Sequence, residues 1–275
     1  MPGNIKKEEI TNLVFASGYI SEYRYYKQLL LENQHDTVQD IIPDLRSEQH
    51  ENLRQMIEIE MIINAIQYCS DLGAFAISIK NKKIFEIIKS LSSFSETSIK
   101  AFYDNIGQAN IKSLKKYMGY LEINIEQSDK EKYIRSCKRY QTDILKISTF
   151  YNTFYQLYPS YKHGLRLIPI INADGRKLIF EACKDNTLNL HKTPEMWWLG
   201  SIGITEIINN IFKKLYIPLI RKKVGEYLGL SFGQTRVQGS VKSTDLPDPK
   251  KTIPVNLSFI SPWWYGQENE PIPFY

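Results

Sequence analysis

The chain has 275 residues, of which 43% are hydrophobic and 24% are charged, and its formal net charge at pH 7 is +5. This composition is typical of a soluble globular protein that can bury a sizeable core, in one large domain or in a domain with an appendage. The mild positive charge permits contact with an acidic partner, but it is too small to indicate nucleic-acid binding.

Targeting and redox signals are weak in this sequence. Charged side chains fill positions 6–9, where a signal peptide would carry its apolar core, and no apolar run is long enough to cross a bilayer. The 3 cysteines are far apart and include no CxxC pair, so neither a disulfide framework nor a zinc site is predicted. We therefore expect a cytoplasmic protein without cofactor, metal or membrane contact, with buried thiols at Cys69 and Cys137.

The N-terminal segment predicts helix. Residues Lys7 to about Gln34 are interpreted as one or two short helices that Gly18 breaks, followed by a connector over Val38–Pro43. Four apolar side chains give this segment an apolar edge: Tyr23, Tyr26, Leu29 and Leu30.

A long helix is predicted from Ser47 to about Lys80, with a broad apolar surface suited to the middle of a bundle. A narrow polar stripe crosses this surface, and its members lie four, three and four residues apart, which places them on one face: Glu60, Asn64, Gln67 and Asp71. The stripe indicates either a solvent-exposed face or the lining of an internal polar pocket.

A second long helix is predicted from Ser128, where a capping box begins, to Tyr158, before Pro159. Shorter helices precede it, one after the capping box at 93–96 and one over 111–120. Apolar residues at alternating steps of four and three give the long helix one continuous stripe: Tyr133, Cys137, Tyr140, Ile144, Ile147, Tyr151, Phe154 and Tyr158. This stripe predicts antiparallel packing against the Ser47–Lys80 helix.

The chain changes character after Gly164. Two apolar runs flank an Asp-Gly turn within 165–182, which predicts a short β-hairpin, and Cys183–Pro194 is interpreted as loop. A third long helix is predicted from Ser201 to about Leu228, kinked or split at Pro218.

The fold prediction is therefore mainly α. A helical bundle with two or three long antiparallel helices occupies 1–228 and carries the hairpin insertion at about 165–182, and an extended arm rich in proline and tryptophan occupies 229–275. Because disordered segments are usually poor in aromatic residues, we expect Trp263 and Trp264 in the arm to pack on the bundle or on a second subunit.

One local motif carries candidate chemistry. Tyr151-Asn152 followed by Tyr161-Lys162-His163-Gly164, downstream of a long helix with acidic residues, resembles the closing motif of several all-α bacterial families grouped with the HEPN superfamily. These helical bundles are common in toxin–antitoxin and phage-defence systems. The resemblance covers about 47–167.

The same resemblance leaves the activity open. HEPN ribonucleases carry an arginine a few residues before the histidine, and no arginine stands there before His163. The family implies either a metal-independent ribonuclease that uses His163 with a basic residue from elsewhere, such as a second subunit, or a bundle that has lost its motif and serves as a non-catalytic interaction or defence-system component.

The predicted site joins the motif to the polar stripe. If the two long helices are antiparallel, the end of the second lies beside the middle of the first, within reach of Glu60 and Asp71. His163 and Lys162 are the candidate catalytic residues, and they equally suit a cap on the helix C-terminus. A third hypothesis is a small-ligand pocket lined by a set of polar and aromatic side chains: Glu60, Asn64, Asp71, Tyr151 and Asn152.

A basic tract over Lys213–Lys251 is the remaining candidate surface. Its nine lysines and arginines, set against the carboxylates Glu206, Glu226, Asp245 and Asp248 in and just before the tract, account for the whole net excess of +5. The tract is either a solvated surface or a contact for RNA or another anionic partner, on whose bases nearby aromatic rings would stack. A homodimer is a further candidate assembly.

Overall fold

A computed structural model of the chain describes residues 7–79, 87, 90, 95–119, 127, 130–162, 167–171, 177–182, 188–192, 197–220, 237–242, 252–257 and 265. The predicted mainly α bundle is confirmed. The described residues form seven α-helices: α1 Lys7–Ile41, α2 Ser47–Ser78, α3 Glu96–Ile106, α4 Ile111–Tyr117, α5 Lys130–Phe154, α6 Leu157–Lys162 and α7 Trp197–Ile211.

The first helix is a single rod. α1 passes through Gly18 without a break and continues to Ile41, so the predicted break and the predicted connector from Val38 are wrong. One glycine costs a helix only ~1 kcal/mol, which tertiary contacts offset. Val38 supplies such contacts, because it is buried in a small apolar cluster with Leu31, Ile57 and Met61.

α2 lies at the centre of the bundle and packs against both α1 and α7. Arg24 of α1 pairs with Asp71, whereas His35 pairs with Glu58, so positions that rise along α1 fall along α2 and the two helices are antiparallel. α7 packs against α2 as well. The ring of Phe212, the residue that follows α7, stacks on the ring of Tyr68 with 5.6 Å between the ring centres.

The other half of the bundle is built by α3, α4 and α5. The Tyr103 hydroxyl of α3 donates to the Cys69 carbonyl of α2 at 2.6 Å, and the Ser148 hydroxyl of α5 donates to the Tyr103 carbonyl at 2.9 Å. α3 therefore connects α2 to α5. α3 begins after Ser95, whose side chain accepts from the Ser98 amide, so its cap lies two residues beyond the predicted Ser93.

The apolar stripe of α5 is buried as predicted. Tyr140, Ile144, Ile147 and Tyr151 are fully enclosed, and Cys69 and Cys137 are free, buried thiols. The predicted helix end at Tyr158, before Pro159, is wrong, because α5 ends at Phe154 and Pro159 lies in the first turn of α6. A first-turn amide has no acceptor within its helix, so proline loses nothing there.

Pro218 does not split the last helix. α7 continues through a π-helical turn over Phe212–Tyr216 into helix at 217–220, and the Ile217 amide donates to the Phe212 carbonyl, five residues earlier. Because proline lacks an amide and collides with the carbonyl four residues before it, a wider π turn directly before Pro218 is a local way to continue the helix past the proline. α7 begins at Trp197, four residues before the predicted start.

The described part of the chain also contains five strands. The predicted hairpin is present, with β1 Leu167–Ile171 antiparallel to β2 Lys177–Ala182. The loop predicted at Cys183–Pro194 is wrong in part, because β3 Leu188–Lys192 pairs with β2. Leu188 and Leu190 alternate with polar residues, but over only five positions, which is too short a pattern to stand out.

The C-terminal segment, predicted to be an extended arm, contains an antiparallel pair of strands, β4 Val237–Lys242 and β5 Thr252–Leu257. Tyr265 is buried against α5, where its hydroxyl donates to the Asp143 carboxylate at 2.9 Å. Burial and the neighbouring Asp143 carboxylate raise the pKa of Tyr265. Trp263 and Trp264 lie outside the described residues.

The core role of α5 can be tested by placing a carboxylate in its stripe. Ile147 is fully buried, so Ile147→Asp should lower the free energy of unfolding by ~3 kcal/mol or more. Leu145→Asp is the matched control, because Leu145 is 40% exposed on the same helix and should change stability by no more than ~0.5 kcal/mol. Equal urea midpoints for the two variants would contradict this packing.

Candidate functional site

The predicted polar stripe of α2 faces α1, and its two carboxylates, Glu60 and Asp71, stay about one-third exposed. Its four side chains meet three from the first helix, and together we call them the polar seam: Arg24, Lys27 and Gln28 of α1 with Glu60, Asn64, Gln67 and Asp71 of α2. The polar seam is thus a contact between two helices, with its buried centre at Asn64 and partly exposed ion pairs at its ends.

Asn64 is the centre of the polar seam and is 0% exposed. Its amide donates to the Arg24 carbonyl at 2.9 Å and to the Gln28 side-chain oxygen at 3.0 Å. Gln28 is also fully buried, and its side-chain nitrogen donates to the Ser201 hydroxyl of α7 at 3.1 Å. One chain of amide and hydroxyl groups therefore ties α2, α1 and α7 together.

Two ion pairs flank this centre. Arg24 Nε lies 3.2 Å from Asp71 Oδ2, and its guanidinium also donates to Gln67. Lys27 Nζ lies 3.4 Å from Glu60 Oε2. Desolvation raises the pKa of Asp71 and outweighs the opposing effect of Arg24. The two cations offset the two carboxylates, so the polar seam carries no net charge with which to attract an ionic ligand.

Tyr161 joins the polar seam from α6. Its hydroxyl donates to Glu60, and this hydrogen bond, followed by burial and the Glu60 charge, raises the pKa of Tyr161 to about 12. Tyr161 of the closing motif therefore lies beside the middle of α2. Lys162 is exposed at the end of α6. His163 lies outside the described residues, so its contact with the stripe stays a prediction.

Tyr151 and Asn152 do not join the polar seam. Tyr151 is fully buried, with its ring 4.7 Å from that of Tyr103, and burial raises its pKa. Its hydroxyl faces Ser70 but makes no hydrogen bond of normal geometry within the described part of the chain. Asn152 is exposed. The five predicted ligand-binding residues are therefore divided between an interhelical seam, an aromatic core and the surface.

A histidine that the sequence did not single out lies at the α1–α2–α7 junction. His35 Nε2 is 3.2 Å from Glu58 and Nδ1 is 3.2 Å from Asp36, while its ring lies 4.5 Å from that of Trp198. Positions 24, 28 and 35 of α1 share one helical face, and this spacing is the signal that could have identified the inward side of α1.

Other ligand classes find no support in the described residues. No group of three or more histidine, cysteine or acidic side chains there is arranged to hold a metal ion. Within the same residues, no helix is long and apolar enough to cross a membrane. The described start of the basic tract is engaged internally, since Lys213 Nζ lies 4.0 Å from Glu22 and 5.8 Å from the Tyr25 ring centre.

No protein-family model matches the chain, and searches of curated proteins and of solved structures find no significantly similar protein. The seam side chains pair with one another across the α1–α2 interface, although the buried side-chain oxygen of Asn64 has no hydrogen-bond partner within the described part of the chain. This arrangement suits a structural contact between the two helices.

The Tyr161–Glu60 contact makes stability depend on pH in the alkaline range. Because the pKa of Tyr161 is raised from 10.0 to about 12, the folded protein favours the neutral phenol. Its stabilising contribution is complete below pH 10 and is lost as the pH rises toward 12. We expect the difference in unfolding free energy between wild type and Tyr161→Phe, measured in urea at a series of pH values, to shrink over this range.

Glu60→Gln provides the control for that measurement. Without the Glu60 carboxylate, the main cause of the raised pKa is gone, so Tyr161→Phe in the Glu60→Gln background should show a much weaker dependence on alkaline pH. If the difference in unfolding free energy between wild type and Tyr161→Phe stays constant from neutral pH to pH 12, the Tyr161–Glu60 contact is not formed in solution.

Proposed function

We propose that the chain is a non-catalytic helical-bundle protein that acts through protein–protein contacts, and that the exposed side of α1 is its contact surface. This surface, the outer face of α1, consists of two tyrosines and two leucines: Tyr23, Tyr26, Leu29 and Leu30. Their exposed fractions carry the proposal: 48%, 51%, 40% and 64%.

The size of the outer face supports a functional role. A large side chain has roughly 200 Å² of surface, so the four together expose on the order of 400 Å² of mainly apolar area. Patches of ~300–600 Å² are the largest that ordinary monomers expose, and they are often binding sites. The spacing of Tyr23, Tyr26 and Leu30, at steps of three and four, presents them along one line of the helix, as a helical partner requires.

The polar seam supports the non-catalytic part of the proposal. Glu60 and Asp71 are the carboxylates that the ribonuclease hypothesis would place beside His163, and both are paired with cations of α1. The resemblance to HEPN-like bundles points to the same class, because the arginine of the ribonuclease motif is missing. We therefore propose a HEPN-like bundle used as an interaction or defence-system component.

A partner-capture experiment tests this function. The tagged full chain is expressed in its source cells, and proteins that co-purify are compared between wild type and Leu30→Glu. Leu145→Glu is the matched control, because Leu145 is an exposed leucine on α5, away from the outer face. We expect at least one protein to be retained by wild type and by the control and to be lost with Leu30→Glu, because a charge in the apolar face prevents its burial.

Two results would contradict the proposal. The first is the same set of captured proteins for all three chains. The second is RNA cleavage by the purified wild-type protein that His163→Ala abolishes without a change in melting temperature, since that result would establish the ribonuclease alternative.

A further inference from the structure

The outer face of α1 has an acidic edge. Glu32, Asp36 and Asp40 follow one another at steps of four, so they form one row along the helix. Leu29 lies three residues before Glu32 and seven before Asp36, which places it beside this row. Glu206 of α7 is exposed near the same row. We call these four carboxylates the acidic edge.

Basic residues are missing from this region of the sequence. No lysine or arginine occurs between Gln28 and Ile41, nor between Trp197 and Ile211, although the whole chain carries 35 of them. Asp36 and Asp40 are exposed, and the side chain of Asp36 is 76% accessible. The acidic edge is thus a locally negative strip on a chain whose net charge is positive.

The carboxylates lie close enough to repel one another. Desolvation raises the pKa of Glu32, and the Glu206 and Asp36 charges raise it further. The described contact to Asp36 is the His35 ring at 3.2 Å, and that ring also faces the Glu58 carboxylate. A cationic partner would relieve this repulsion, whereas a neutral or anionic one would not.

We propose that the outer face of α1 binds a basic amphipathic helix of another protein. The apolar side chains of that helix would pack on Tyr26, Leu29 and Leu30, and its lysines or arginines would lie along the acidic edge. This inference rests on the proposed function and adds the chemistry of the partner. A single helix fits the narrow, elongated shape of the patch.

The other occupants fit less well. A stable dimer buries about 800 Å² on each subunit, and the outer face offers roughly half of that. Two copies meeting through this face would also bring two acidic edges together, which is unfavourable. An anionic lipid surface would be repelled by the same carboxylates.

The test uses two synthetic helical peptides and the full-length protein. Both peptides carry leucines at helical spacing, one with lysines and the other with glutamates on the opposite side, and binding is followed by fluorescence anisotropy. We expect wild type to bind the lysine peptide with an affinity that falls as salt is added, and to bind the glutamate peptide on the order of tenfold more weakly or not at all.

A charge-reversed variant makes the test specific. In Asp36→Lys combined with Asp40→Lys, the preference should reverse, so that the glutamate peptide binds better than the lysine peptide. The control, Asp104→Lys combined with Glu131→Lys, changes the net charge equally at exposed positions on α3 and α5 and should keep the wild-type preference. Circular dichroism confirms that each variant is folded.

The outcomes separate the inference from the proposed function. Equal binding of both peptides, no binding of either, or an unchanged preference in the charge-reversed variant would overturn the inference. The proposed function would survive if Leu30→Glu still removed a captured protein. A wild-type dimer in sedimentation that Leu30→Glu dissociates would identify a second copy as the occupant, and binding to anionic vesicles would identify a membrane; either result overturns the inference.

Discussion

The buried amide of Asn64 determines how α1 lies on the bundle. An amide removed from water without partners costs on the order of 1–3 kcal/mol, so Asn64 requires acceptors, and the Arg24 carbonyl and Gln28 side chain provide them. These bonds fix the register of α1 on α2, and Gln28 extends them to Ser201 of α7. The ion pairs on either side are partly exposed and contribute only ~0–1 kcal/mol each, so they support the register rather than set it.

The hydrogen bonds of Asn64 to α1 also determine which side of α1 forms the proposed contact surface. Successive helix residues are ~100° apart, so turning Arg24 and Gln28 toward α2 places Tyr26 and Leu30, two residues further on in each case, on the opposite side. Leu31 and Val38 fill the apolar part of the inner side. α1 therefore exposes aromatic and aliphatic side chains because polar ones are needed inside.

The spacing of apolar residues predicted correctly those helices that pack through an apolar face. The α5 stripe, including Tyr140 and Ile144, is buried as its spacing predicts. In α1 the apolar edge with Tyr26 and Leu30 is exposed, because the side that packs on α2 is chosen by a polar stripe on the other helix. The polar seam was only partly predictable, because its two halves lie on different helices. Glu60 and Asn64 were recognised as one face, but their partners on α1 are more than 30 positions away, and only the fold brings Tyr161 to Glu60.

The most direct test of this account is a double-mutant cycle on Asn64 and Gln28, measured by urea unfolding. Either single change to leucine should cost ~1–3 kcal/mol, because it leaves the other amide buried without its partner. The double variant should cost less than the sum of the two, with a coupling energy of ~1 kcal/mol or more. Additive effects, with each single variant within ~0.5 kcal/mol of wild type, would show that the buried amides do not hold α1 in place.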